Sequence, residues 1–233
     1  MKTFISNFLG IKSLLQKNKD SCQFEGIKSF SQEGEDLILN ELFKNSSTGI
    51  YIDIGAFDPW RFSNTAFFYS KGWCGLNVDA RPGFKALFDK KRPKDLNVEC
   101  AVGSFVKSVK LFLFNEPALN TTCEKRARFL QQTTSYKLTN IINTSSRTLF
   151  DLFEEFGRSQ IDFLSVDVEG AELEVLRSGN WKKHRPSYVV YEILDTPLQN
   201  LGKNLCIKFM KKNGYEIVTK GLRSVILKNK HIF

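Results

Sequence analysis

A chain of 233 residues, 42% of them hydrophobic, is long enough for one well-buried core and short for two, which predicts an ordered single domain and excludes intrinsic disorder. No apolar run approaches the roughly 20 residues that span a bilayer, and Met1 to Leu15 lacks the apolar core and small-residue cleavage site of a signal peptide, so a cytoplasmic protein is expected. The formal charge is +9, and Cys22, Cys74, Cys100, Cys123 and Cys206 form no CxxC pair and no Cys/His cluster, which argues against zinc and against a disulfide framework.

In chain order, Phe4 to Leu15 sets apolar residues at helical intervals between lysines, predicting a short amphipathic helix docked on the body or touching lipid. Residues 1–27 are read as an extension, 28–195 as the core and 196–233 as a basic C-terminal helix and hairpin. A helix is predicted from Gln32 to Phe43, with Leu37, Ile38, Leu42 and Phe43 facing inward and Ser29 or Ser31 as its cap. The β-rich run Ile50 to Ile54 ends in Gly55. A helix at Thr65 to Ser70, a strand at Gly75 to Asp79, a helix at Pro82 to Lys90 and a strand at Asn97 to Val102 follow. This alternation predicts a Rossmann-like α/β fold, a doubly wound, mostly parallel sheet with helices on both faces.

Beyond it, Ser108 to Phe114 alternates as a strand does, whereas residues 115–145 turn polar and lose periodicity, the pattern of a lid or a mobile loop. Leu149 to Phe156 is predicted helical, with Gly157 as its stop. A strand at Ile161 to Val168, a helix at Ala171 to Arg177 and a strand at Ser187 to Ile193 come next. The end is predicted as a helix, Leu198 to Lys212, and an antiparallel strand pair, Tyr215 to Thr219 and Leu222 to Leu227, completing the sheet. After Asn200 the Lys and Arg residues are opposed only by Glu216. Such a face is either plainly solvated or makes weak contact with an anionic glycan or a membrane surface, which would place the protein peripherally on a membrane.

Ligands of open parallel sheets sit beyond the carboxyl ends of the strands, where the strand order reverses. The acidic and glycine residues at those ends are therefore the candidates. Gly55 permits a close turn and Asp53 offers acceptors to a cationic group such as an ammonium. A full GxGxxG is missing, which favours a ligand without a pyrophosphate. Asp79, ending the next strand, is placed to receive ribose hydroxyls, and an adenine would lie near Cys100-Ala101-Val102-Gly103. One carboxylate for the sugar and one for an aminoacyl end suit S-adenosylmethionine; capping and salt-bridge roles are the plain alternative.

Tyr51-Ile52-Asp53-Ile54-Gly55-Ala56, Phe62-Ser63-Asn64-Thr65, Gly72-Trp73-Cys74-Gly75 and above all Ile161 to Leu176, with its Asp167-Val168-Glu169-Gly170-Ala171-Glu172 segment, resemble the FkbM-type methyltransferases over roughly residues 28 to 195. The resemblance implies a Rossmann-like methyltransferase fold, S-adenosylmethionine as donor and a hydroxyl, often on a sugar or glycan, as acceptor. It adds Ala56, Asp58, Asn64, Ala80 and Asp167 to the cofactor positions Asp53, Gly55, Asp79, Ala101 and Val102. The sequence departs from the family at Asp58-Pro59-Trp60, where many members carry a further glycine, and at Asp79-Ala80-Arg81-Pro82, where a Glu-Pro pair is commoner.

Asp167 and Glu169 flank a strand-to-helix turn, and Glu192 ends the neighbouring strand. Clustered carboxylates supply a general base for an acceptor hydroxyl or hold a divalent metal that acidifies it; the plain alternative is that Asp167 and Glu169 cap the helix at Ala171. Glu172 and Glu174 are expected on the helix surface, and His184 and His231 in a loop and the tail. The reading is an O-methyltransferase acting on a sugar, glycan or small molecule. A nucleic-acid methyltransferase, suggested by the basic C-terminus, is the alternative enzyme reading; the sequence lacks the Asn/Asp-Pro-Pro-Tyr/Phe motif that goes with a flipped base, which weakens it. A non-catalytic nucleoside-binding or assembly module in glycan biosynthesis is the reading from another class.

Overall fold

The computed structural model describes residues 26–104, 107–194 and 196–231; the helix expected at Phe4 to Leu15 and Cys22 lie outside them. Ten strands are present among these residues: β1 (Ile50–Ile54), β2 (Cys74–Asp79), β3 (Leu96–Glu99), β4 (Ala101–Val102), β5 (Lys107–Phe114), β6 (Leu138–Arg147), β7 (Phe163–Val166), β8 (Tyr188–Glu192), β9 (Tyr215–Lys220) and β10 (Ser224–Asn229). Seven form one sheet in the order β3-β2-β1-β7-β8-β10-β9. The first five are parallel, and β10 runs antiparallel to both β8 and β9. β1 is flanked by β2 and β7, so the order reverses at β1, where a crevice opens beyond the carboxyl ends.

Strand side chains alternate between the two faces. Ile52 and Ile54 join Leu164, Val166, Val189 and Tyr191 in one core with Leu152, Phe153, Leu176, Trp181, Ile207 and Met210. Tyr51, Phe163, Val190 and Ile226 pack on the other face with Leu39, Phe43, Phe68 and Trp73. Asp53 shares the Tyr51 face by the same alternation, which sets its surroundings.

The first helix is Glu35–Leu42 and starts at Gly34, in the left-handed region, with no side-chain cap. Ser29 and Ser31 donate instead to Asp36, and Ser31 Oγ accepts the Asp36 N–H at 3.3 Å. Its inner face differs from the expected one: Ile38 is exposed and Leu39 fully buried. The strand expected at Asn97 to Val102 divides at Cys100, whose N–H bonds Asp79 O. Ala101–Val102 then leaves the large sheet to pair with Ser146–Arg147. The helix expected from Leu198 to Lys212 is likewise two pieces, a 3-10 segment Leu198–Lys203 and a helix Leu205–Lys212. Asn204 restarts it by accepting the N–H groups of Cys206 and Ile207.

The largest correction falls on 115–145, expected as an unstructured lid or loop. It holds a 3-10 turn (Pro117–Leu119), a ten-residue helix (Glu124–Thr133) and most of β6. β6 pairs antiparallel with β5 and parallel with β4, making a second, three-stranded sheet. The helix lies on it through Ala127 and Leu130 against Phe112 and Phe114. This unit caps the crevice.

Candidate active site

A cavity of about 500 Å³ lies at the β1/β7 switch point, between the carboxyl ends of the parallel strands and the cap. That is the size of a small-molecule or cofactor site. Of the expected site residues, Asp53, Gly55, Ala56, Asn64, Asp79, Ala80, Ala101, Val102, Asp167, Glu169 and Glu192 all line it. Asp58 does not: its Oδ1 accepts the N–H groups of Trp60 and Arg61, each at 2.9 Å, and closes a turn.

Gly55 is required by the packing of the chain itself. Its φ is +82°, and an added Cβ would stand 1.7 Å from Asp167 O, inside any permissible contact. The strands β1 and β7 thus come together where the two loops leave the sheet. Next to it, Asp79 accepts the N–H groups of Phe57 (2.9 Å, Oδ2) and Arg81 (2.7 Å, Oδ1). These bonds fix the carboxylate while it still faces the cavity. Burial raises its pKa and the two N–H groups lower it.

At the other end stand Asp167, Glu169 and Glu192, each offering a carboxylate oxygen within 4.8 Å of the others. Glu169 has φ +54°, a backbone setting uncommon without glycine, followed by Gly170 at φ +100°. This turn brings two acidic side chains, two positions apart, to one cavity. Neither of them caps the helix that follows, which has no side-chain cap; Glu172 instead folds back on the turn and accepts the N–H groups of Gly170 (2.9 Å) and Val168 (3.3 Å). Glu172 is therefore buried, not on the surface as expected.

The three carboxylates differ. Glu169 is held by Arg126 of the cap helix, Nη2 at 2.8 Å and Nε at 3.1 Å from Oε2; burial raises its pKa and the guanidinium opposes the rise. Asp167, facing the open cavity, is pushed well up by desolvation and then by Glu169, Glu172, Asp53 and Glu35. Glu192 is pushed up to about 10, first by desolvation and then by Asp167 and Glu169. Its Oε2 has no hydrogen-bond partner among the described residues. Carboxylates this close raise one another's pKa and titrate together.

Arg126, Arg61, Arg223, Glu116, Thr121, Phe57 and Tyr136 also line the cavity and escaped sequence reading. Arg126, Glu116, Thr121 and Tyr136 belong to a segment that reads as a loop, and only the docking of the cap brings them in. Arg223 shows that the basic C-terminal region reaches the site. His184 lies against Phe153 in a stacked geometry and pairs with Glu154, remote from the cavity lining.

A family model described as the methyltransferase FkbM domain matches residues 53–217. No curated protein matches. Among solved structures, the precorrin-6y C5,15-methyltransferase of Geobacter metallireducens aligns with 12% identity and a TM-score of 0.44, over 90% of this chain and 96% of that one. The METTL16 MTase domain aligns with 13% identity and a TM-score of 0.46, over 84% and 66%. A TehB-like SAM-dependent methyltransferase of Corynebacterium glutamicum aligns with 9% identity and a TM-score of 0.42, over 97% of each chain.

Proposed function

The chain belongs to the FkbM methyltransferase family, and we propose that it transfers the methyl group of S-adenosylmethionine to a hydroxyl oxygen of a sugar, glycan or small-molecule acceptor. The observation that supports this reading is that one cavity is lined both by Asp53, Asp79, Ala101 and Val102 at strand ends and by a cluster of three carboxylates. Bound there, S-adenosylmethionine supplies a methyl group already made electrophilic by the sulfonium. The protein has to orient the partners, exclude water and accept a proton.

The residues present fit that donor. Asp53 faces the cavity from the end of β1 and takes the ammonium; Asp79 takes ribose hydroxyls on the lone pairs its two N–H bonds leave free. Ala101 and Val102 leave a smooth apolar wall for the base. No phosphate-cradling loop is needed and none is present at Gly55. Asp167 and Glu192 are assigned the acceptor side: one of them, in its ionised form, takes the hydroxyl proton as the oxygen attacks. Arg126 pairs with Glu169 beside them and opposes the rise that burial imposes on its pKa. The same three oxygens fit a divalent cation that prefers oxygen ligands, such as magnesium or manganese, and Glu169, Asp167 and Glu192 would hold it. Such an ion would acidify the acceptor hydroxyl.

Incubation of the purified protein with methyl-labelled S-adenosylmethionine and fractionated cell extract tests the reading. Label is expected in a hydroxyl-bearing glycan or small-molecule fraction, as a base-stable ether. Label appearing only in nucleic acid, or in no fraction with or without added magnesium, would count against it. Loss of transfer on chelation and its return with magnesium or manganese would assign the carboxylates to a metal; chelator-insensitive transfer would leave them the base role.

A further inference from the structure

Behind Asp53 the sheet buries a charged network that the transfer reaction does not itself use. Arg92, following the helix Phe84–Lys91, is 0% exposed. Its Nε donates to Asp95 Oδ2 at 2.8 Å, its Nη2 to Tyr51 OH at 2.7 Å, and both Nη1 and Nη2 to Thr65 Oγ1 at 3.0 Å. Asp95 also receives Tyr51 OH, Gly75 N–H and Asn77 Nδ2, so the guanidinium has a complete and rigid counter-charge. Such a cation is held in one place, because moving it would leave an unpaired charge in the core.

The consequence falls on Thr65. A hydroxyl has one proton and two lone pairs. With two guanidinium N–H groups on the oxygen, the proton goes to the nearer and charged acceptor, Asp53 Oδ2 at 2.8 Å, over Ser63 Oγ at 3.2 Å. Thr65 is itself fully buried, so no water competes for that bond. On the other side, Asn64 Nδ2 donates to Ser165 Oγ at 3.1 Å, which turns the Ser165 proton away from Asn64 and toward Asp53.

We propose that Thr65, oriented by Arg92, is a positioning residue for cofactor binding: it locks the Asp53 carboxylate in one orientation, in which the lone pairs not taken by Thr65 and Ser165 receive the ammonium of an aminoacyl ligand. This rests on the reading that the cavity holds S-adenosylmethionine. Burial, Asp79 and the neighbouring Asp167 all favour protonating Asp53; Thr65, Arg92 and Ser165 are the groups that oppose them. Burial carries the net shift upward; a protonated Asp53 would lose its attraction for an ammonium, so the bonds of the relay limit that loss.

The test pairs two ligands that share the adenosine thioether but differ in the aminoacyl end: S-adenosylhomocysteine, which has it, and 5′-methylthioadenosine, which lacks it. Thr65→Val should weaken S-adenosylhomocysteine about tenfold, the lower end of what a hydrogen bond to a charged group contributes, and leave 5′-methylthioadenosine within about twofold. Thr65→Ser should bind both as the wild type does. A carboxyl-carbon NMR titration should show Asp53 protonating at higher pH in Thr65→Val than in wild type or Thr65→Ser. Should Thr65→Val fail to fold, Thr65→Ala gives the same readouts. Equal loss of both ligands, or unchanged binding with an unchanged Asp53 titration, would overturn the proposal. If the wild type bound neither compound, the cofactor reading would fall, and the Asp53 titration alone would still decide whether the relay exists.

Discussion

Glu192 is the residue whose environment says most about the chemistry. A carboxyl with one oxygen bonded to nothing, beside two other carboxyls, prefers to keep a proton. A proton acceptor of this kind works when its pKa lies near the working pH, and removing it typically costs about 10² to 10⁴ in rate. Glu192→Gln and Asp167→Asn should each lower turnover by about 10² or more while donor affinity stays within a few-fold. The same group carries a signature in stability. Because the folded pKa of Glu192 is raised from 4.5 to about 10, the folded state binds the proton more tightly than the unfolded one. Its contribution to stability is whole below about pH 4.5 and is lost as the pH rises toward 10. Thermal unfolding of the apoprotein should therefore show stability falling from pH 5 to 9, less steeply in Glu192→Gln. Equal slopes would mean that Glu192 ionises normally. The sequence marked Asp167, Glu169 and Glu192 from their places at strand ends. It could not show that Arg126 neutralises one of them, since that contact joins residues 43 positions apart.

The cap shows where reading by periodicity fails and why. Its helix Glu124–Thr133 buries only Ala127 and Leu130, too few apolar positions to mark a helical face. In β6 half of the residues are exposed and only Ser146 is buried, so the polar-apolar alternation of a half-buried strand is absent. Both elements are held by tertiary contacts: the small apolar cluster around Phe112 and Phe114, and bonds to the acidic turn. Thr121 Oγ1 donates to Glu169 O at 2.8 Å, and Gly170 lets Arg126 Cβ come within 3.2 Å of where a Cβ would stand. The helix Leu149–Phe156 was legible in contrast, because its apolar residues at 149, 152, 153 and 156 mark one face and its Gly157 stop is local. Arg126→Gln should loosen the cap specifically. Amide exchange in residues 117–133 should quicken about tenfold or more, in keeping with a lost charge-assisted bond, while β1 and β7 exchange as before. Uniform acceleration through the sheet would show that Arg126 serves global stability instead.

At the scale of the molecule, the parallel strands and their order of use were readable because each core strand is a compact apolar run closed by a turn residue. The cavity then follows from topology: the switch point at β1 puts Asp53, Asp79 and Asp167 at one rim without any of them being adjacent in sequence. What was not readable is the second sheet, which exists because the chain leaves the first one at Cys100. The stretch that matches the FkbM methyltransferase family, residues 53–217, takes in both the switch point of the large sheet and the cap. Among the described residues no helix is long and apolar enough to cross a membrane. The central claim, a nucleoside donor site spanning Asp53 and Asp79, is tested most directly by calorimetric titration with S-adenosylmethionine and S-adenosylhomocysteine. Dissociation constants on the order of micromolar are expected for both, with Asp79→Ala weakening each by about tenfold or more through the lost charged acceptor. Absence of heat with either ligand, together with no rise in unfolding temperature, would contradict the account.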